Sequence, residues 1–441
     1  MPRSEVKKGF FYILDKEANQ TGAPLEAQID LSTEALNKPS NKVSLLAHSD
    51  KEVLIREYFH CLNNQITPVI INPAIPQAKQ DELRIRLENK TRPNFMSHIT
   101  CSSGTTSSDR PIKAFLFRLE RPVKNGLAHY ESLGISGAQN ILFPMPLTHS
   151  FGVVIGILST VTMGHHLYTF NETPKNPQLI SAIEEREIDL LYLTPTLARL
   201  LMKFMKRKKL TVERSMKISI GAAHIYKSEI LELMNYFPNA EIFYTYGLSE
   251  LGPRVSTLNC EKKGSTRLDL LTSETLPIGA PLAGVEMEIE NGTLHVRSDY
   301  ANEDIEDLDQ CYFNTQDMAE ETNLGQDALI LLKGRADFTI NFAGVNIYPQ
   351  EIEPITTSLV GHRNILLGLP SKLHGEIPVL VIEGDSSLEA SFDQRKFIED
   401  LSKQIILDFL PQKIYFLETF PTTNMGKIKR QEILQKITSS N

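Results

Sequence analysis

The sequence predicts an α/β protein: a large multi-layer amino-terminal domain built on parallel sheet, then a small α+β carboxyl-terminal domain. Three observations carry the prediction. Strand-like and helix-like apolar periods alternate from residue 43 to about residue 222. Short strands with a hairpin turn replace them past residue 280. A separate run of strands and helices fills residues 338–441. Alternation of the first kind builds βαβ units, whose parallel strands place a ligand at their carboxyl ends.

The elements follow in order. "KVSLLAH" reads as a strand, "DKEVLIREYFHCLNN" as an amphipathic helix and "TPVIINP" as a buried strand closed by proline. "MSHITC" and "AQNILFPMP" are strands, and "FGVVIGILSTVTMG" at 151–164 is a buried helix. "HHLYTF", "DLLYLTP", "MKISIGAA" and "AEIF" are strands, separated by the helices "PQLISAIEEREI" and "TLARLLMKFMKRKKL". All of these are assigned to one wide, doubly wound sheet. "VEMEIENGTLHVRS" is a hairpin turning at Asn291-Gly292, and "ALILLKG" is a further strand. In the last part "RNILLGLP" and "EIPVLVIEG" are strands, "SFDQRKFIEDLSKQIILDFL" is one helix, and a final helix begins near Ile428. The boundary falls near 335–338, dividing the chain into 1–335 and 336–441.

Composition excludes several classes. At 441 residues two or three domains are expected. With 41% hydrophobic and 23% charged residues, a packed core is affordable and wholesale disorder is not expected. A net charge of −8 argues against non-specific binding to nucleic acid or membrane. Cys61, Cys101, Cys260 and Cys311 are far apart with no C-x-x-C pair, so neither a zinc site nor a disulfide framework is suggested. The amino terminus carries no secretory pattern and 151–164 is too short to span a bilayer, so a cytoplasmic setting is expected.

Several stretches carry possible chemistry, each beside a plainer reading. "SSGTTSSDRPIK" at 102–113 follows a strand, where N–H groups and hydroxyls can converge on a phosphate; a Ser/Thr linker looks the same locally. "YTYGLSELGPR" at 244–254 offers an aromatic, a glycine, a hydroxyl and a carboxylate, or simply a tight turn. Asp317 in "FNTQDM", just after a short strand, suits vicinal ribose hydroxyls or a surface turn. Arg335 and Asp337 sit at the domain boundary, as a hinge or as a linker. In "FPTTNMGKIKRQEILQKI", Lys427, Lys429 and Arg430 crowd a helix amino terminus, where the dipole disfavours cations. His149 in "PLTHSFG" precedes the buried helix and suits packing as well as catalysis. The basic stretch "KFMKRKKLTVER" suits an acidic carrier or plain solvation.

The order of these stretches carries more than any one of them. Hydroxyl-rich Gly loop, P-L-x-H, Y-G-x-[ST]-E, G-x-P-x-x-G at Gly279, Pro281 and Gly284, Asp317, G-R-x-D and P-x-T-x-x-G-K resemble the adenylate-forming superfamily of acyl-CoA synthetases, peptide-synthetase adenylation domains and luciferases. The resemblance covers about residues 95–435. It implies that Ser103, Gly104, Thr105 and Thr106 form the loop over the ATP phosphates. It implies that Tyr246 stacks on adenine, with Gly221, Ala222 and Gly247 lining the nucleotide. Ser249 then touches phosphate, Glu250 holds Mg²⁺, and Asp317 and Arg335 bind ribose. Asp337 is the implied hinge of a mobile small domain, and Lys427 bridges substrate carboxylate and α-phosphate.

The sequence departs from the family at Ser107, Gln316 and Asn341, where glycine, glycine and lysine are usual, and in its short amino-terminal region. The expected reaction uses ATP and Mg²⁺ to turn a small carboxylic acid into acyl-AMP, then passes it to the thiol of CoA or of an acyl carrier protein's phosphopantetheine. "HSFG" has no Asp to pair with an α-amine, so a fatty or aryl acid is expected. His149, Phe151, Ala223, His224 and Leu248 are the pocket candidates, His149 also as a catalytic residue. An acyl-AMP ligase serving a carrier only, and a non-catalytic nucleotide- or carrier-binding homologue, are the rivals.

Overall fold

Runs such as "LLYL" at 190–193 and "KISIG" at 217–221 are apolar on both faces, as strands covered by helices on each side must be. The computed structural model describes residues 6–14, 24–40, 42–88, 94–101, 112–264, 268–304, 312–342, 345–371, 375–405, 407–423 and 426–439. In it, Glu241–Tyr246, Lys217–Gly221, Leu190–Leu193, Asn140–Leu142, His166–Phe170 and Val6–Leu14 pair in parallel, in that order. Ser256–Glu261 and Ala280–Pro281 extend one edge antiparallel and Leu25–Asp30 the other, giving nine strands.

The single wide sheet expected from the sequence is two sheets. Lys42–Leu46, Ile66–Ile70 and Ser97–Cys101 pair in parallel and are closed antiparallel by Ala114–Arg118, apart from the nine-stranded sheet. The cause is the helix Lys51–Asn63, which touches strands of both sheets. Its buried Leu54, Ile55, Tyr58, Phe59 and Leu62 fill the space between them, each contributing on the order of 1.5–3 kcal/mol.

The amino-terminal hairpin carried no assignment in the sequence reading, yet it completes the large sheet. Gly9 lets the strand Val6–Leu14 pass directly beneath the helix Ser159–Met163, since a Cβ there would lie 2.5 Å from the Thr160 carbonyl oxygen. The apolar segment before that helix is buried, as expected, but Gly152–Leu158 runs in π register. The Ser159 hydroxyl donates to the carbonyl of Val154, five residues back, which suits the wider turn.

A four-stranded antiparallel sheet follows, Val285–Glu290, Thr293–Ser298, Phe313–Leu324 and Asp327–Arg335. Asp317 therefore lies inside a long strand, not after a short one. Residues 340–437 carry two apolar clusters of their own, around Ile340, Leu380 and Leu401 and around Ile365, Phe420 and Ile433. The single helix expected over 391–410 starts late, as Gln394–Ser402, and gives way to a short turn Leu407–Phe409, while a separate helix Ser386–Ser391 precedes it. Asp393 causes the late start: its carboxylate accepts from the Lys396 N–H and caps a new helix. The last helix begins at Arg430, two residues later than expected. Among the described residues no helix is long and apolar enough to cross a membrane.

Candidate active site

The site assembles where the strand Glu241–Tyr246 ends. Gly247 follows under a tight constraint, because a Cβ there would lie 1.8 Å from the Pro253 carbonyl oxygen. Only glycine lets the chain fold back over itself here. A single turn, Ser249–Leu251, then presents Glu250, whose backbone carbonyl accepts from Asn302 N and Nδ2 at 3.0 Å each. Ser249 Oγ meets Ser150 Oγ at 2.8 Å, tying this turn to the segment that carries His149.

Tyr246 donates its hydroxyl to the carboxylate of Asp317. Arg335 lies opposite Asp317 in register across two strands; its Nη1 donates to the Thr315 carbonyl at 2.7 Å and faces Asp317 Oδ1 at 3.4 Å. Its Nε donates to Asp337 Oδ1 at 3.2 Å. Burial holds the Asp317 carboxyl above its usual range, opposed by Tyr246, Arg335 and Lys427. Gln316, just before it, has φ +63°, the left-handed region that favours glycine. The glycine usual at this place therefore has a backbone reason, and Gln316 meets it with its N–H bound to Asn314 Oδ1 at 2.8 Å.

Lys427 comes to the same place from a loop pinned on both sides. Its N–H donates to Thr423 Oγ1 at 3.2 Å and its carbonyl accepts from Thr423 N at 2.8 Å. Thr196 Oγ1, from the first turn of the helix Pro195–Lys208, donates to the Gly426 carbonyl at 3.2 Å. Of the three cations near this helix start, Arg430 pairs with Glu353 at 2.6 Å and Lys429 with Glu432 at 2.9 Å. Lys427 has no carboxylate within ion-pair distance among the described residues. Lys427 is exposed to solvent, with protein packed densely around it. Desolvation, then the Arg335 and Arg430 guanidinium groups, pull its ammonium below the ordinary value, and Asp317 and Asp337 oppose them.

His149 Nδ1 accepts from the Phe151 N–H at 3.3 Å, which leaves the proton of the neutral ring on Nε2. Burial, then Arg254 and Lys427, push its pKa down to about 4. Phe151 is buried against Phe143 and Tyr192. Gly221 ends its strand with no room for a Cβ, which would lie 2.6 Å from Thr245 Oγ1, and Ala222 turns away with φ +72°. Ala223, His224 and Leu248 are half-buried; His224 packs edge-on to Tyr226, and burial lowers its pKa to about 4.

The structure thus gathers Tyr246, Asp317, Arg335, Asp337 and Lys427 into one electrostatic cluster, with His149 joined to it through Lys427. Ser103, Gly104, Thr105 and Thr106, with Ser107, lie outside the described residues. Ser150, Thr196, Thr315 and Arg254 also adjoin the site and are not among the residues the sequence predicts; all but Thr196 lie within stretches that the sequence singles out. Among the described residues no group of three His, Cys, Asp or Glu side chains could hold a metal. A lone carboxylate such as Glu250 suits Mg²⁺ that arrives with substrate phosphates.

Residues 34–299 match the family model described as AMP-binding enzyme. The 2-succinylbenzoate--CoA ligase of Staphylococcus aureus is 23% identical over 352 residues, 77% of this chain. The chain spans 66% of that relative's own length, just under two thirds. The fold is shared with ATP-bound MatB from Rhodopseudomonas palustris, at TM-score 0.73 and 15% identity, covering 91% of this chain and 89% of that one. It is shared equally with the o-succinylbenzoate CoA synthetase MenE from Bacillus subtilis in complex with OSB-AMP, at TM-score 0.72 and 16% identity, covering 90% and 88%. With its family match spanning more than half of its length, this chain belongs to the AMP-binding enzyme family.

Proposed function

We propose that this protein activates a carboxylic acid without an α-amino group, fatty or aryl, as acyl-AMP and passes it to a thiol, making it an AMP-forming acid–thiol ligase. The observation that carries the reading is the approach of Lys427, with no ion-pair partner among the described residues, to Asp317, Arg335 and His149, groups spread widely along the sequence. The relatives named as CoA ligases support CoA as the acceptor; a carrier-protein phosphopantetheine is the second reading. Residues 1–335 form the adenylating domain and 336–441 the small domain that swings about Asp337. A cytoplasmic setting fits both acceptors.

A carboxylate oxygen of the acid attacks the α-phosphorus of ATP, and the bond from that phosphorus to pyrophosphate breaks. Two anions must meet, so positioning and positive charge supply the catalysis. Lys427 spans the incoming carboxylate and the α-phosphate. Bound Mg²⁺ neutralises the leaving pyrophosphate. Glu250 is placed to hold it, and Ser249 to touch phosphate. Asp317 accepts from the ribose hydroxyls, with Arg335 beside it, while the ring of Tyr246 stacks on adenine over Gly221, Ala222 and Gly247. Ser103, Gly104, Thr105 and Thr106 cover the phosphates. Neutral His149, with Phe151, Ala223, His224 and Leu248, borders the acid. In the second step the thiolate attacks the acyl carbon and AMP leaves.

Lys427→Ala tests the reading. Acid-dependent pyrophosphate release should fall by about 10²–10³-fold, while ATP binding by calorimetry stays near the parent value. If release is absent in the parent across a panel of acids, or indifferent to the substitution, the proposal fails. Adding CoA should yield a soluble thioester; its absence beside intact adenylation would favour a carrier-only ligase.

A further inference from the structure

Arg254 is 3% exposed, and no carboxylate pairs with it among the described residues. A buried cation without a counter-ion is costly, so its neighbours show what it is kept for. Its Nη1 donates to Thr245 Oγ1 at 3.0 Å. Asn125, fully buried, holds its backbone twice, accepting from the N–H at 3.0 Å and donating to the carbonyl at 2.8 Å. The guanidinium carbon lies 3.4 Å from the centroid of the Phe151 ring. Phe143 and Tyr192 meet the same ring at 62° and 82°, with centroids 5.3 and 5.4 Å away. Three neighbours thus hold Phe151, and Arg254 is the charged one.

Phe151 is joined to His149 through the backbone. Its N–H donates to His149 Nδ1 at 3.3 Å, and the His149 carbonyl accepts from the Val153 N–H at 2.9 Å. A Cβ on Gly152 would lie 2.5 Å from the Pro146 carbonyl oxygen, so the segment from 146 to 152 closes tightly on itself. A tilt of Phe151 is therefore passed to His149. Ser150 Oγ stands 3.5 Å from the same Nδ1. Two charged groups among the described residues act on the His149 ring, Arg254 and Lys427, and both are cations; they add to burial in holding it neutral, with a pKa of about 4. Arg254 itself, lowered by burial to about 9, stays charged at neutral pH.

We propose that Arg254 is a positioning residue that acts through Phe151 on His149, keeping that ring in place as an uncharged Nε2–H donor beside the acid. Its charge opposes a second cation at His149, and its stack on Phe151 steadies the backbone N–H that fixes the tautomer. The proposal rests on the ligase reading for where the acid lies. There a neutral donor leaves Lys427 alone to carry the charge that meets the carboxylate. An imidazolium would grip the carboxylate before it reacts as firmly as during the reaction, and binding of that kind does not speed the step.

The test follows the imidazole nitrogens by NMR from pH 8 to pH 5, with His149→Gln assigning the signal. In the parent, His149 should keep its proton on Nε2 and titrate little over this range. In Arg254→Met its midpoint should rise by about one pH unit or more, because a like charge has gone. Arg254→Lys keeps the charge and should keep the midpoint low. At saturating ATP, acid-dependent pyrophosphate release by Arg254→Met should decline below about pH 6 and recover towards pH 8, with KM for ATP unchanged, and Arg254→Lys should return the parent's profile. A parent His149 that titrates near its ordinary value of about 6.5 overturns the proposal. So does an Arg254→Met variant that loses stability but leaves midpoint and pH profile where they were. Should Arg254→Met fail to fold, the parent titration and Arg254→Lys decide, and a midpoint raised by Lys overturns the proposal. If no acid gives pyrophosphate release, the ligase reading falls and the NMR midpoints still judge this proposal; normal release beside an unmoved midpoint does the reverse.

Discussion

At Asp317 two opposed requirements meet in one side chain. In the proposed function it must be ionised to accept from two ribose hydroxyls, yet burial holds its pKa above the usual carboxylate range. The carboxyl thus gains its proton earlier than usual as pH falls, and the affinity for ATP should fall with it, beginning at a higher pH than an exposed Asp would give. Calorimetric titration of ATP across pH 4–7 checks the sign; Asp317→Asn should remove the dependence and weaken binding by roughly 10–100-fold. Gln316 beside it holds a conformation that costs a side-chain residue about 1 kcal/mol. Gln316→Gly should accordingly raise the melting temperature measured by calorimetry, because the backbone N–H bond to Asn314 survives the change; an unchanged or lower value would show that the greater freedom of glycine in the unfolded chain outweighs the relief of strain.

The elements that carry the site are held by close backbone approaches. Gly247→Ala would drive a methyl into the Pro253 carbonyl, so the turn carrying Glu250 must shift. A loss of about 2 kcal/mol or more in chemical denaturation, with impaired ATP binding, is expected. Much of this level was legible in advance. The alternation of strands and helices, the hairpin at Asn291-Gly292 and the order Tyr246, Glu250, Asp317, Arg335, Lys427 were read from local pattern. What escaped depended on partners distant in sequence. The two-sheet division follows from which surfaces the helix Lys51–Asn63 covers, and periodicity does not report that. Asp317 looked like a turn residue because "NTQD" is turn-like, whereas its pairing with Arg335 makes it part of a strand. Arg254 looked like the end of a motif; its burial is set by Asn125, 129 residues away in sequence.

Over the whole molecule, buried histidines make acid the weak side of stability. His98, His129 and His165 are 1% exposed or less, and each has one ring nitrogen without a partner among the described residues. Burial lowers His98 to about 3 and His165 to about 4, and holds His129 well below its ordinary value. The unfolded chain binds protons at these positions below about pH 6.5 and the native chain does not. Stability is therefore undiminished above that pH and falls as pH drops towards 4, at about 1.4 kcal/mol per pH unit for each imidazole. Denaturant midpoints measured from pH 7 to pH 4 should show this decline.

In the proposed ligase, the hydrogen bond from Thr196 to the Gly426 carbonyl would bear on how the two half-reactions are kept in sequence. An acyl-adenylate is a mixed anhydride that water destroys, so a loop carrying Lys427 that is held in place would shield it. Holding that loop down would then set how long the intermediate outlasts its formation before an acceptor arrives. Thr196→Val should let more of it escape to hydrolysis. Without thiol, free AMP should appear a few-fold faster relative to pyrophosphate, the leak expected from losing one neutral hydrogen bond.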